Sequence, residues 1–458
     1  MKKNFLIKTL LIFFLVFVVL TWIIPASSYT GKYVEEGLNP IGIFDLFKYP
    51  LYSFATFIQY GMVILSIGIF YGILSKTGVY SILCDSIVKK IKKKKLFLGI
   101  ITFILCLLSS VIGSPLILFI FVPFIYNLVI LLGYDKKTGL AISVGSILVG
   151  NISSLFGNGV ALTNIEIFNL SILNQFYIKL ILFLMVSLLY VNYVLSRSYE
   201  TKEKIELNFY SKNEKSNKSK LPLIILFIFT IIIVLLGIYH IDKLGFNLFK
   251  DIHNSLMNFD VNNFKLFENL FKGISGIGSW SNYDVMIFIL IMSLVISWVY
   301  SIKLDEYIDG FKEGIKSTIK PALYAVLASL IFVVILNTKS NIMETINHFI
   351  LNNNFSIIRT FLATISGGIF YNDYTWLTQS GFGNMLTLYD TNNYMMISVI
   401  TSGVHGLLMF ILPTSIILGA GSMYTGLDYK DWLKYIWKYV LLVFFVIIAI
   451  SIVLIKIL

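Results

Sequence analysis

Apolar residues run along most of this chain in blocks of about 20, separated by shorter polar segments, and a block of that length spans a bilayer as an α-helix. The pattern predicts an all-α polytopic membrane protein. We predict that nine blocks cross the membrane: 5–24, 54–75, 139–157, 172–195, 221–240, 284–300, 318–338, 393–412 and 432–456.

Two further apolar stretches, 96–132 and 355–389, are too long for one crossing. Each is interrupted near its middle by small and polar residues, at 109–115 and at 366–373. A broken helix is tolerated in hydrocarbon only where its freed backbone groups meet protein, water or a ligand. We therefore predict that both stretches are re-entrant hairpins.

Composition supports the bilayer as the solvent. The 458 residues are 57% hydrophobic and 13% charged, with a mean hydropathy of +0.84, whereas soluble domains carry about 25% charged residues. These values exclude a soluble enzyme, a disordered chain and collagen. The net charge of +12 comes from lysine-rich loops rather than from a groove, so nucleic-acid binding is excluded as well. Cys84 and Cys106 are too few for a disulfide framework.

The distribution of lysines predicts the orientation. Segments 76–95 and 196–220 are strongly basic, which places them and the N-terminus in the cytoplasm, whereas 158–171 has no Lys or Arg and is expected outside. This alternation requires the 96–132 hairpin to enter and leave on one side. We expect a multi-pass protein of the inner or plasma membrane. The first block could instead be a signal peptide, but its apolar run is longer than a signal core.

The chain also contains an internal repeat. A shift of 255 residues places Lys179 on Lys434 and Ile142-Ser143-Val144 on Ile397-Ser398-Val399. A slightly longer shift superimposes the amphipathic stretch 76–95, with seven Lys, on 339–354, which has Lys339 alone and several Asn. Opposite charge bias in matching elements predicts that the copies face opposite sides of the membrane, as in an inverted-topology repeat.

The repeat divides the chain into a first half, a linker and a second half. In order, the predicted parts are 1–195 with its hairpin 96–132 and broken helix 139–157, a cytoplasmic linker 196–220, and 221–458 with an outer loop 241–283, a hairpin 355–389 and a broken helix 393–412.

Polar residues at the breaks are the candidate binding site. Hydroxyls, amide oxygens and free carbonyls suit Na⁺, and half-helix N-termini favour a carboxylate. The candidate substrate-binding residues are Ser110, Ser114, Asn151, Ser153, Ser154, Asn158, Asp373, Thr401, Ser402, His405, Thr414 and Ser415; Asn151, Ser153 and Thr414 are the candidate Na⁺ ligands. The alternative for the small residues is helix packing.

Asp373 and His405 are the ionisable candidates, because a charge inside the bilayer is costly and is commonly functional. Asp373 could bind a cation or a substrate amine, or be an exposed loop carboxylate. His405 could carry protons or hold a carboxylate, or be a neutral histidine hydrogen-bonded between helices.

No P-loop, H-E-x-x-H or G-x-S-x-G motif occurs in the chain. We therefore expect no cofactor, and a gradient of Na⁺ or H⁺ as the source of work. One elementary charge moved through 100 mV supplies about 2.3 kcal/mol, enough for roughly fortyfold accumulation.

Several segments resemble the YfcC-like carriers of the C4-dicarboxylate anaerobic carrier family, nearly along the whole chain. The most specific is Gly-Tyr-Asp-Lys-Lys-Thr-Gly-Leu-Ala-Ile at 133–142. The others lie at 21–26, 31–33, 39–42, 68–74, 76–78, 412–415 and 429–434.

The resemblance implies the ion transporter superfamily, which includes the aminobenzoyl-glutamate and divalent-anion carriers. It implies paired hairpins, an inverted repeat, often a dimeric scaffold, and elevator-type movement. Its substrates would be dicarboxylates or basic amino acids. Relatives carry adjacent glutamates at the first hairpin tip, where this chain has Ser114-Pro115-Leu116, and their Ser/Gly-rich second tip is replaced by aromatic residues around Asn372-Asp373.

These observations predict an ion-coupled symporter or exchanger, not an enzyme, for a small carboxylate-bearing metabolite or amino acid. Homodimers are an expectation from the resemblance. Two alternatives remain open at this point: a membrane-embedded polysaccharide polymerase or glycosyltransferase, and a non-transporting receptor on a carrier fold.

Overall fold

The computed structural model describes residues 5–29, 32–112, 114–157, 159–212, 216–239, 247–260, 264–338, 342–351, 355–382 and 385–457. These residues are mostly helical, which confirms the all-α prediction. The sequence analysis did not predict a small antiparallel hairpin that follows the first helix, formed by β1 (Ala26–Tyr29) and β2 (Tyr33–Gly37).

The first half contains nine helices within the described residues. They are α1 (Phe5–Leu20), α2 (Asp45–Lys76), α3 (Tyr80–Lys90), α4 (Lys94–Val111), α5 (Val122–Leu131), α6 (Lys136–Leu140), α7 (Ser146–Ser153), α8 (Gly159–Phe168) and α9 (Ile172–Arg197). A 3₁₀ segment, Pro115–Phe121, leads into α5, and a π-helical turn, Ala141–Gly145, joins α6 to α7.

The second half begins after the 196–220 linker. Its helices are α10 (Leu221–Gly237), α11 (Leu248–Met257), α12 (Leu266–Leu270), α13 (Asn282–Val299), α14 (Leu304–Leu327), α15 (Leu330–Thr338), α16 (Ile342–Leu351), α17 (Ile357–Phe370), α18 (Tyr374–Trp376), α19 (Tyr394–Leu408), α20 (Ile416–Thr425) and α21 (Tyr429–Ile457). Helices α11 and α12 lie in the predicted outer loop.

Each of the nine predicted crossing segments falls in helical structure. Within the described residues, six helical stretches are long and apolar enough to cross a membrane, and α1 and α10 are among the shorter apolar helices. The six are Asp45–Lys76, Lys94–Val111, Gln175–Arg197, Asn282–Val299, Leu304–Leu336 and Tyr429–Leu454.

Two boundaries differ from the prediction for physical reasons. Helix α14 begins at Leu304 rather than near residue 318, because its first turns are amphipathic: Gly310 and Gly314 are buried while charged residues are exposed. The return arm of the second hairpin is not one helix. After α18 it continues as a π turn, Leu377–Gly381, and a 3₁₀ turn, Met385–Leu388.

In each predicted hairpin, the first and the last residues lie close together, at the same side of the molecule. At the base of the first, Glu200 forms an ion pair with Lys94 at 3.6 Å and a β-bridge with Tyr134. At the base of the second, the rings of Phe355 and Tyr389 lie 5.5 Å apart. The chain therefore enters and leaves each hairpin at one place, as a re-entrant segment requires.

Equivalent helices of the two halves run antiparallel. Ser53 of α2 donates a hydrogen bond to the Val326 carbonyl of α14 at 2.7 Å, while Gly72, at the other end of α2, lies against Gly310. Helices α9 and α21 are also antiparallel. Tyr439 of α21 donates to the Val186 carbonyl of α9, whereas the earlier Tyr435 of α21 accepts from the later Tyr193 of α9. Antiparallel equivalents are the arrangement of an inverted-topology repeat.

The amphipathic helices α3 and α16 lie at opposite ends of α1. The first residue of α1, Phe5, packs on Tyr429 at the start of α21, the end of α21 that also contacts Arg197 and hence the basic linker. Helix α3 contacts that linker through Asp85, which accepts a hydrogen bond from Tyr210. Beyond the other end of α1, the Pro25 carbonyl accepts a hydrogen bond from Thr345 of α16 at 2.7 Å.

The crossing of α2 and α14 is the closest packing between the halves. Each helix carries a G-x-x-x-G motif, with Gly68 and Gly72 on α2 and Gly310 and Gly314 on α14. A Cβ on Gly72 would overlap the Gly310 carbonyl oxygen. Such contact between backbones is the usual packing of small residues in membrane helices. Elsewhere, many large apolar side chains are exposed and face outward, as a lipid environment permits.

Candidate functional site

A cavity of about 220 Å³ lies where the two hairpin tips meet the two broken helices. Both halves contribute to its wall, the first half through Tyr60 of α2 as well as through its hairpin tip and broken helix. The lining residues are Tyr60, Ser114, Pro115, Leu116, Leu148, Asn151, Gly159, Val160, Asn372, Asp373, Tyr374, Thr375, His405, Gly406, Met409, Ser415, Ile416 and Ile417.

Asp373 is the carboxylate of this cavity, at the tip of the second hairpin. Its Oδ1 accepts hydrogen bonds from the backbone N–H of Thr375 at 3.0 Å and of Trp376 at 3.3 Å, so it caps the short helix α18. The neighbouring Asn372 donates to Ser329, between α14 and α15, at 2.9 Å. The tip is thus held by its own cap and by the junction between α14 and α15.

His405 lies in the last turn of α19 and is buried, with 5% of its surface exposed. Its Nε2 is 3.1 Å from the carbonyl oxygen of Tyr371. Because a carbonyl only accepts, Nε2 carries a hydrogen in this arrangement. The second broken helix is therefore tied to the start of the second hairpin tip.

The tip of the second hairpin is also fixed to the first half. The Tyr374 hydroxyl donates to Asn164 of α8 at 2.6 Å and lies 2.7 Å from the Thr401 hydroxyl of α19. The hydroxyls of Thr163 and Thr375 are 2.8 Å apart. Helix α8 therefore supports the opposite half's hairpin.

The matching contact in the other direction is looser. The ring of Tyr126, on the return arm of the first hairpin, packs on Tyr424 of α20, and its hydroxyl lies 3.4 Å from the Thr425 carbonyl oxygen. Each hairpin thus packs against the half-helix that follows the broken helix of the other half.

The two broken helices cross at the cavity. A Cβ on Gly406 of α19 would lie 2.8 Å from the Cα of Ile152, so only glycine allows this approach to α7. Helix α7 ends at Ser153, and Ser154 adopts the left-handed conformation with φ of 41°. A non-glycine residue in that region is uncommon and stops the helix beside the cavity.

Two half-helices begin at the cavity wall. Gly159 and Val160 are the first residues of α8, and Ile416 and Ile417 are the first residues of α20. The N–H groups of a helix's first turn lack partners within the helix and carry a partial positive charge. Ser415 caps α20 by accepting from Leu418 N–H at 3.4 Å.

The predicted site residues separate into three groups. Ser114, Asn151, Asp373, His405 and Ser415 line the cavity together. Thr401 lies behind it and reaches it only through Tyr374. The others do not line it: Ser110, Ser153, Ser154 and Ser402 donate to backbone carbonyls three or four residues earlier, and Thr414 is buried, its hydroxyl without a partner among the described residues.

Asn158 lies outside the described residues. Of the three candidate Na⁺ ligands, Asn151 lines the cavity, whereas Ser153 bonds to Gly150 and Thr414 is buried but does not line the cavity. The sequence analysis did not include Tyr60, Asn372, Tyr374 or Thr375 among the site residues. Tyr374 and Asn372 could have been identified from the sequence, because both flank the candidate carboxylate Asp373. Tyr60 could not, since it lies in an uninterrupted helix.

A buried lysine lies outside the cavity, on α9. Lys179 has no exposed surface, and no described group lies within hydrogen-bonding distance of its Nζ. Gln175, one turn earlier on the same face, is also buried with both amide atoms unpartnered among the described residues. The equivalent residue of the second half, Lys434, is exposed.

Comparisons with known proteins give a family and a distant structural relative. The model of the C4-dicarboxylate anaerobic carrier family, DcuC, matches residues 4–456. The crystal structure of the YdaH transporter from Alcanivorax borkumensis aligns over 97% of this chain and 96% of its own, with 11% identity and a TM-score of 0.44. A comparison with curated protein sequences found no match.

Proposed function

Because the chain belongs to the C4-dicarboxylate anaerobic carrier family, we propose that it is a secondary active transporter that moves a small carboxylate-bearing metabolite by ion-coupled symport or by exchange. The chain is a membrane carrier rather than an enzyme, which removes the polymerase and glycosyltransferase alternatives.

The observation that carries the proposal is the pair of half-helices that begin at one cavity. Helix α8 comes from the first half and α20 from the second, and the first residues of both line the cavity. Each N-terminus favours an anionic group by about 0.3–1 kcal/mol or more in a partly buried site. A dicarboxylate places one carboxylate at each; an amino acid places one there and its ammonium near Asp373.

Charge balance in the cavity supports ion coupling. Its lining residues include Asp373 and His405 but neither Lys nor Arg. A dianion beside a carboxylate in a low-dielectric site is unfavourable unless cations accompany it. In our proposal Asp373 binds the coupling cation, Na⁺ or H⁺, and Asn151 supplies a second oxygen.

The proposed movement is of the elevator type. The second hairpin is joined to α8 by the Tyr374 and Thr375 contacts and to α19 by the His405 contact, so these elements would move as one body. Helices α2 and α14, with their interlocked glycines, would stay fixed as the scaffold. We further propose a plasma-membrane location with a cytoplasmic N-terminus, and a homodimer formed through the scaffold.

The test is uptake by purified protein in proteoliposomes. Labelled C4-dicarboxylates, monocarboxylates and amino acids are offered with an imposed Na⁺ gradient, an imposed H⁺ gradient, or an internal load of the same compound. We expect gradient-dependent uptake or exchange of a dicarboxylate, with monocarboxylates moved about 2–30-fold more slowly because they occupy only one helix N-terminus. Binding of a dicarboxylate without any movement would instead support the receptor alternative.

A further inference from the structure

A second and larger cavity, of about 550 Å³, opens on the side of the molecule between α3 and α10. None of its lining residues lines the candidate transport site. Its floor is aromatic: the rings of Phe124 and Phe227 are 5.3 Å apart. One wall is a stripe of isoleucines on α10, including Ile224 and Ile228, of which Ile228 is 49% exposed.

The cavity is basic at one end. Lys90, the last residue of α3, and Lys220, which precedes α10, both line it. Lys220 Nζ donates to the Ser86 hydroxyl at 2.6 Å, which holds the ammonium at the mouth. Within the described part of the chain, neither lysine forms an ion pair; the nearby carboxylate of Asp85 is bonded to Tyr210.

The apolar stripe extends away from this basic end along the spanning helix. From Ile224 to Ile232 the rise is about 12 Å at 1.5 Å per residue. An apolar furrow of this length, closed at one end by two ammonium groups and open to the hydrocarbon along its side, matches an acyl chain joined to a phosphate.

We propose that this furrow binds an anionic glycerophospholipid. Lys90 and Lys220 contact the phosphate, the Ser86 hydroxyl accepts from Lys220 and so positions its ammonium, and one acyl chain lies on Phe124, Phe227 and the isoleucine stripe. Zwitterionic lipids offer the same chain but no net negative charge, so they bind more weakly. The bound lipid joins α10, the helix that stands outside the repeat, to α3.

The experiment is native mass spectrometry of the full-length protein in detergent, titrated with phosphatidylglycerol or with phosphatidylcholine of identical acyl chains. The double variant Lys90→Gln/Lys220→Gln is compared with Lys92→Gln/Lys93→Gln. Both double variants remove two charges from the same basic surface, but Lys92 and Lys93 do not line the cavity. A third variant, Ile228→Trp, fills the furrow without changing charge.

We expect one tightly bound phosphatidylglycerol. The Lys90/Lys220 variant should lower its affinity about thirtyfold, because two lysine contacts to the anionic headgroup are lost. The Lys92/Lys93 variant binds it as the unmodified protein does, and Ile228→Trp displaces it. Free glycerol phosphate does not compete, since the chain supplies much of the affinity. Equal weakening by both double variants, equal affinity for phosphatidylcholine, or displacement by free glycerol phosphate would each overturn the proposal.

Discussion

The two halves of the molecule share a backbone plan but carry their polar groups differently. At the cavity, the first hairpin tip presents Ser114, Pro115 and Leu116, whereas the second presents Asn372, Asp373 and Thr375. The re-entrant bases, the helix pairing and the half-helices at the cavity occur in both halves. Packing therefore repeats, while the ionisable chemistry of the cavity belongs to the second half.

The same asymmetry appears in α9 and α21. Lys179 is fully buried, and its repeat counterpart Lys434 is exposed. An inverted repeat can exchange the roles of its halves when a carrier changes the side it faces. Here the halves are not electrostatically equivalent, so the two facing states would differ in energy unless cargo or ions balance them.

The largest expected effect comes from the crossing at which the halves meet. Gly72→Ala places a Cβ against the Gly310 carbonyl oxygen, and overpacking of backbone against backbone costs about 3 kcal/mol or more. We expect a marked fall in thermal stability by scanning fluorimetry. In the control Gly99→Ala, the new Cβ meets no backbone atom but only side chains, Leu195 at 3.3 Å and Val191 at 3.5 Å. Similar melting of both variants would show that this crossing is not where the halves are locked together.

The second prediction concerns the polar tip. Asp373→Asn keeps an oxygen that can cap α18 but removes the charge, so uptake in proteoliposomes should fall about 10–100-fold, as for loss of a charged partner. Asp390→Asn is the matched control, because Asp390 caps a 3₁₀ turn at the exposed end of the same hairpin through Asn392 N–H. Full uptake by Asp373→Asn would remove the carboxylate from the proposed ion site.

The buried lysine should show opposite effects on stability and transport. An unpartnered ammonium in the core is costly, so Lys179→Met should raise the free energy of unfolding by about 1–3 kcal/mol. Because ionisable groups inside membranes are commonly functional, uptake should fall at the same time. Lys434→Met, at the exposed counterpart, should change neither. A stabilised Lys179→Met variant with normal uptake would make the lysine irrelevant to the carrier cycle.

The smallest expected effect concerns the contacts that support the two hairpins, Tyr374 with Asn164 and Tyr126 with Thr425. Tyr374→Phe removes the hydrogen bond to Asn164 and should cost about 1–2 kcal/mol, since it leaves a buried amide unsatisfied. Tyr126→Phe removes a 3.4 Å contact and should cost well under half of that. Chemical denaturation in detergent measures both. Equal costs would mean that the two supports are energetically symmetric despite their different geometry.

Sequence reasoning located the apolar helices, because hydropathy reports directly on lipid exposure. Five of the nine predicted crossings lie in helices long and apolar enough to span a membrane, and the sixth such helix among the described residues, Lys94–Val111, is an arm of the first predicted hairpin. Sequence reasoning placed the start of α14 too late, because residues 304–317 are rich in charge. The glycines on the other face of this segment are buried against α2, a contact that hydropathy does not report. The small β1–β2 hairpin was not predicted either, because its short polar segments have no apolar alternation.

The location of the cavity was predicted better than the set of residues that line it. Breaks in apolar segments pointed to both hairpin tips and both broken helices, and Asn151, Asp373 and His405 all line the cavity. Ser153 and Ser402 have the same chemistry but bond to their own helices. Residue type does not distinguish these cases, because rotation about the helix axis decides which way a hydroxyl points.

The glycine crossing of α2 and α14 has a consequence for the origin of the chain. Like surfaces meet there in opposite directions, which is the geometry of an isologous dimer contact. A protein of half this length could bury the same glycine face against a second copy inserted upside down. In its helix pairing, the present molecule is equivalent to two such copies joined through one additional helix, α10.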